Sequence, residues 1–148
     1  MRWLLDTNVV SEGISSNPNA TVLAWLARNA EIDAAISIVT LAELRNGLLQ
    51  TKKLARRRII QGWIESEVSR SFENRILPLT LDVLIDWLSL AGQLRARGRP
   101  QSAPDLLIAA TARVHGLILV TRNVRDFART GVTVYDPFTS EIHRMEQP

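Results

Sequence analysis

The chain has 148 residues, no cysteine and a formal net charge of +3. That length suits one domain with its own core, and the lack of cysteine excludes disulfides, thiol nucleophiles and zinc–thiolate sites, so any metal must be held by oxygen or imidazole. No apolar run approaches a membrane span and the opening MRWLLD is too short for a signal-peptide core, so a cytoplasmic protein is expected.

In chain order, short apolar runs alternate with longer amphipathic segments. Arg2 to Leu5 reads as a strand, Ala20 to Asn29 as a helix, Ala34 to Ser37 as a strand and Leu41 to Gln50 as a helix. Lys53 to Glu73 reads as one long basic helix, followed by a strand at Arg75 to Leu77. Leu81 to Arg97 is helical and ends in RARGRP, where Gly98 and Pro100 stop it. A helix from Ala103 to His115, a strand at Leu117 to Val120 and a last strand at Val132 to Tyr135 complete the pattern. Strands that are apolar on both faces and separated by helices predict a three-layer α/β/α sandwich around a mostly parallel sheet, in a single domain spanning 1–148.

In such sheets ligands bind beyond the carboxyl ends of the strands. Asp6 follows the first strand there. The second strand leads to Glu43, Asp105 opens a later helix, and LILV leads to Thr121, Asn123 and Asp126. Each acid has a plain structural reading as well. Asp6 is a good helix N-cap. Thr40-Leu41-Ala42-Glu43 and Ser102-Ala103-Pro104-Asp105 both match a capping box, and Asp126 could be a turn residue. Gathered at one edge, however, uncompensated carboxylates repel and raise one another's pKa, which a bound cation would relieve. Oxygen ligands suit Mg²⁺ or Mn²⁺, and such an ion supports phosphodiester hydrolysis.

The segments LLDTNVVSE, TLAELRNGL, PDLLIAATARVHGLILVTRNVRDF and TGVTVYDPF resemble, in order and spacing, the PIN-domain ribonucleases. The likeness is greatest to VapC-type toxins of bacterial toxin–antitoxin pairs, in the FitB-like branch. The resemblance implies an endoribonuclease dependent on Mg²⁺ or Mn²⁺, blocked by a small cognate antitoxin and commonly homodimeric. By position Asp6, Glu43 and Asp105 match the metal-coordinating acids, and Thr7 and Asn8 match the polar residues beside the first of them. The fourth position falls at either Asn123 or Asp126; Asp126 is read as supplying negative charge and Asn123 as a neutral contact, with Thr121 beside them.

Other features fit this reading without demanding it. The positive charge is nearly all arginine, whose guanidinium fork suits phosphate, and the run KKLARRR from Lys52 to Arg58 is either a solvated helix face or an RNA contact. Trp3, Trp25, Trp63 and Trp87 lie in apolar-periodic segments and are expected in the core or an interface. His115, just before Gly116, suits a helix end, and His143 is expected in a polar tail. An aspartyl-phosphate phosphatase would need a second acid where Asn8 stands and a late lysine, yet no lysine follows Lys53. The non-enzymatic alternative is a catalytically silent PIN-like module that binds RNA or protein.

Overall fold

The computed structural model describes all 148 residues, Met1 to Pro148. Its central sheet has the order β3-β2-β1-β4-β5-β6, with β1 Trp3–Leu5, β2 Ala34–Ser37, β3 Ile76–Leu77, β4 Ile118–Val120, β5 Thr133–Asp136 and β6 Glu141–Arg144. The first five strands are mutually parallel, and only β6 runs antiparallel, against β5. Leu5 stands opposite both Ile36 and Val120, and Val120 opposite Tyr135, so these strands end level with one another. Asp6, Thr121 and Asp136 therefore emerge at one edge.

The strand period of two divides the core between two faces. Trp3 and Leu5 face one side, with Val9, Trp25, Ile36, Trp63, Ile64 and Phe72. Leu4 faces the other, with Leu90, Leu94, Leu106, Ile108, Leu119 and Phe127. Helices α1 (Thr7–Val10), α2 (Ala20–Asp33) and α4 (Leu54–Trp63) supply the first side, while α6 (Leu81–Ala96) and α7 (Ala103–His115) form a hairpin over the second. The expected three layers are present. Trp3, Trp25 and Trp63 are buried as expected, with Trp3 and Trp25 meeting edge to face at 5.4 Å. Trp87 is only partly buried.

Four expectations need correction. Helix α3 spans Ile38–Gln50, starting three residues before the predicted Leu41, because Ser37 caps it by accepting from the Val39 N–H. Thr40 is thus interior to the helix and donates its hydroxyl to the Leu5 carbonyl, so no capping box links it to Glu43. The predicted helix from Lys53 to Glu73 is broken: after α4, a π-helical stretch at Ile64–Val68 leads to α5 at Ser69–Ser71. The extra residue keeps Trp63, Ile64, Val68 and Phe72 on the buried face, and the Ser69 hydroxyl bonds the Ile64 carbonyl at 2.9 Å. Finally, His143 lies in strand β6, which the polar sequence of that segment disguised.

Candidate active site

Asp6 caps α1 and does more. Its Oδ1 accepts from the Thr7 N–H at 2.7 Å, while Oδ2 accepts from Asn8 Nδ2 at 2.9 Å and from the Thr121 hydroxyl at 2.7 Å. Every hydrogen-bond partner is a donor, so the bonded shell is built for an ionised carboxylate. The residue is only 5% exposed, and burial, the largest influence, pushes its pKa up to about 6 against the lowering effect of these bonds. The nearby charges of Glu43 and Asp105 push the same way, which places both acids within electrostatic reach of Asp6.

The remaining groups are held one by one. Glu43 projects from the second turn of α3, and its Oε2 accepts the Thr7 hydroxyl. Asn8 bridges the strands: Nδ2 reaches Thr121 Oγ1 at 2.9 Å and Oδ1 accepts from the Arg122 N–H at 3.1 Å. At the start of α7, Ser102 Oγ accepts from the Asp105 N–H at 3.3 Å and donates its hydroxyl to Asp105 Oδ2, so Ser102 caps the helix as expected while the Asp105 carboxylate takes the hydroxyl and not the Ser102 N–H of a full capping box. Asp105 is raised above the ordinary carboxylate range, first by burial and also by the charge of Asp126, with the Ser102 bond opposing. Asp126 sits exposed in a 3-10 turn, Val124–Phe127, within electrostatic reach of Asp105. Asn123 is exposed too, its backbone N–H bonded to Thr121 Oγ1 at 3.0 Å.

The predicted site residues therefore come together, but not as a ready cage. No three His, Asp or Glu side chains close around one point tightly enough to grip an ion among themselves. Asp6 Oδ2 is saturated by its two donors, which leaves one lone pair on Oδ1. The chain offers oxygen donors, few and partly spent; such a set fits a hard cation that keeps most of its waters.

Two groups escaped the sequence reading. Asp136, ending β5, is 6% exposed and accepts the Phe138 N–H at 2.8 Å, which shapes the turn after the strand. Arg122 lies over the Phe138 ring, 5.0 Å from its centroid. Both follow parallel strands at the edge where acids were sought, and that position was the available signal. The basic run from Lys52 to Arg58 is partly structural: Arg56 bonds the Ile14 carbonyl and Arg57 those of Leu48 and Leu49.

The sequence matches the family model described as PIN domain over residues 3–132. It is 36% identical over 135 residues to VapC ribonuclease Y4jK of Sinorhizobium fredii, covering 91% of this chain and 96% of the relative. It is 33% identical to Toxin FitB of Neisseria gonorrhoeae, covering 91% and 97%. Among solved structures, FitAcB from Neisseria gonorrhoeae superposes with a TM-score of 0.85 at 33% identity, covering 92% of this chain and 98% of that one.

Proposed function

The chain belongs to the PIN-domain family, and from that premise we propose that it is an endoribonuclease, the toxin of a bacterial toxin–antitoxin pair acting in the cytoplasm. The observation that carries the reading is the convergence of Asp6, Glu43 and Asp105 on one edge, with Asp126 beside Asp105. The similarity to proteins named VapC ribonuclease and Toxin FitB supports it. A silent binding module would carry the repulsion of these acids with only their hydrogen bonds to offset it.

In the reaction, a water oxygen bonds to phosphorus, the bond to one ribose oxygen breaks, and the departing oxygen takes up a proton. When bound, Mg²⁺ or Mn²⁺ would lower the pKa of the attacking water and offset the charge growing on the phosphate oxygens. Asp6, Glu43 and Asp105 would hold that ion, with Asp126 adding negative charge. Thr121 and Asn8 fix Asp6, Thr7 fixes Glu43 and Ser102 fixes Asp105, so the acids are oriented before substrate arrives. Asn123 stands at the rim as a neutral contact. The test is cleavage of a defined RNA by the purified protein with Mg²⁺, with Mn²⁺ and with chelator: metal-dependent cleavage lost in Asp105→Asn supports the reading, and metal-independent or absent cleavage overturns it.

The antitoxin would block this edge. A groove of about 400 Å³ opens from Thr7 and Glu43 toward Leu48, Ile60 and Trp63, suited to an amphipathic segment that ends at the acids. A second copy of the chain fits a different face. On α6, Leu81, Ile85 and Leu88 are 71%, 56% and 62% exposed, and their alternating spacing of four and three continues through Gly92 and Arg95. In an antiparallel two-fold pairing, Leu88 would meet its own counterpart, Ile85 would rest over a glycine and Asp82 would approach an arginine. A methyl group on Gly92 would meet nothing within 4 Å, so close approach there is unobstructed.

A further inference from the structure

Beyond Thr121, on the side away from Glu43, lies an open cleft of about 360 Å³ walled by Arg122, Asn123, Val124, Arg125 and Asp126. Most half-buried arginines of this protein have spent their donors. Arg75 bonds the carbonyls of Ala30, Ala34 and Ser71, Arg113 bonds Asp86 and the Thr130 carbonyl, and Arg56 and Arg57 hold carbonyls as described. Arg122, at the surface, differs. Its side chain makes no hydrogen bond and no ion pair, yet it is held at both ends. At the backbone, its N–H is tied to Asn8, the residue that also holds Asp6. At the tip, its guanidinium rests on Phe138, whose own position is set by buried Asp136.

A guanidinium fixed by stacking keeps its edge donors free and loses little freedom on binding a planar or tetrahedral oxyanion. A cluster of carboxylates repels a polyanion, so the substrate needs a counter-charge beside the acids, and Arg122 is positioned one residue from Thr121. Resting on the ribonuclease reading above, we propose that Arg122, on its Phe138 platform, holds an RNA phosphate next to the scissile one, with Arg125 lining the same cleft. It is a binding and positioning residue, specific for the phosphodiester backbone and indifferent to base identity.

The test is equilibrium binding of a fluorescent single-stranded RNA to the cleavage-deficient Asp105→Asn protein, titrated over a series of salt concentrations, with and without Arg122→Ala, Arg122→Lys and Phe138→Leu. Arg122→Ala is expected to weaken binding about tenfold for every sequence tried and to reduce the salt slope by about 0.7, the value for one single-strand phosphate contact. Arg122→Lys should keep the slope and recover only part of the affinity. Phe138→Leu should also keep the slope while weakening binding, because the charge stays but its orientation is lost. In the cleaving protein, Arg122→Ala should raise KM more than it lowers kcat, with an unchanged melting temperature. Unchanged affinity and slope in Arg122→Ala would overturn the assignment to Arg122 alone. Absence of RNA binding and cleavage by the parent proteins would overturn the ribonuclease reading, and this assignment with it.

Discussion

The hydroxyl of Thr7 donates to the carboxylate of Glu43, so the residue directly after the first acid holds the second. The same residue gives its backbone N–H to Asp6 at 2.7 Å. One residue thus couples two acids, Asp6 at the cap of α1 through its backbone and Glu43 in α3 through its side chain.

Thr7→Val should therefore act on the site more than on the fold. The isosteric valine keeps the bulk and the backbone bond to Asp6 but removes the donor to Glu43. A hydrogen bond to a charged group contributes about 1.5–3 kcal/mol, so cleavage is expected to fall by roughly ten- to a hundredfold. A melting curve close to wild type alongside that loss is the expected pair of results, and full activity would show that Glu43 needs no such support.

Glu43→Gln separates charge from shape. Because α3 is capped by Ser37 and not by a box involving Glu43, nothing in the helix start depends on this carboxylate. The amide can still accept the Thr7 hydroxyl. The variant is expected to fold with normal stability, to lose cleavage by at least about a hundredfold, and to show a smaller thermal shift with metal. Wild-type rates in a single-turnover assay would leave the site to Asp6 and Asp105.

The acidity of Asp6 makes stability depend on pH. Its pKa rises from 3.8 to about 6 on folding, so between those values the folded chain holds a proton that the unfolded chain has released. Stability from this group is complete below about pH 4, is lost as pH rises through 6, and is constant above. A shift of this size corresponds to roughly 3 kcal/mol. Urea unfolding in chelator at pH 4, 5.5 and 7 should show Asp6→Asn gaining on wild type as pH rises. Parallel profiles for the two proteins would contradict it.

Metal should reverse that penalty. With Mg²⁺ or Mn²⁺ at about a hundred times its dissociation constant, the folded state is expected to gain roughly 2.7 kcal/mol, seen as a higher melting temperature. Asp105→Asn should blunt the gain. An unchanged melting temperature of wild type at millimolar metal would count against an ion at these acids.

The apolar stripe on α6 predicts a dimer that one charge would break. Leu88→Glu sets two like charges against each other on the two-fold axis while leaving Leu90 and Leu94, on the buried face, untouched. Light scattering should report a dimer for wild type and a folded monomer for the variant; a wild-type monomer at tens of micromolar would remove the interface.

The parallel sheet and the residues at its edge were legible because apolar strands ending in Asp6 or leading to Thr121 break a pattern that packing otherwise explains. Asp105 was legible for two reasons at once, as a partner of a helix cap and as a candidate site acid; Ser102 does cap α7 through the Asp105 N–H, and the second role is the one the metal and substitution experiments test. The start of α3 was misread because Thr40 and Glu43 have the spacing of a cap, whereas Ser37, inside an apolar run, takes the role through tertiary placement. Strand β6 escaped because its residues are mostly exposed and carry no alternating apolar signal. Arg122 escaped for a different reason: its significance lies in Phe138 beneath it, a contact across the sheet edge that no local spacing announces.

The hydrogen bond from Thr121 to Asp6 joins residues 115 positions apart, and Asn8 repeats the link to the same strand. A chain being synthesised makes Asp6 more than a hundred residues before it can fix it, because β4 must first emerge and slot beside β1. The Arg122 platform waits longer still, for Phe138. Growing chains thus carry scattered, unassembled parts until β4 and then Phe138 have been made, and only then does the site become whole. A partner made at the same time and place would meet the finished site at its first appearance.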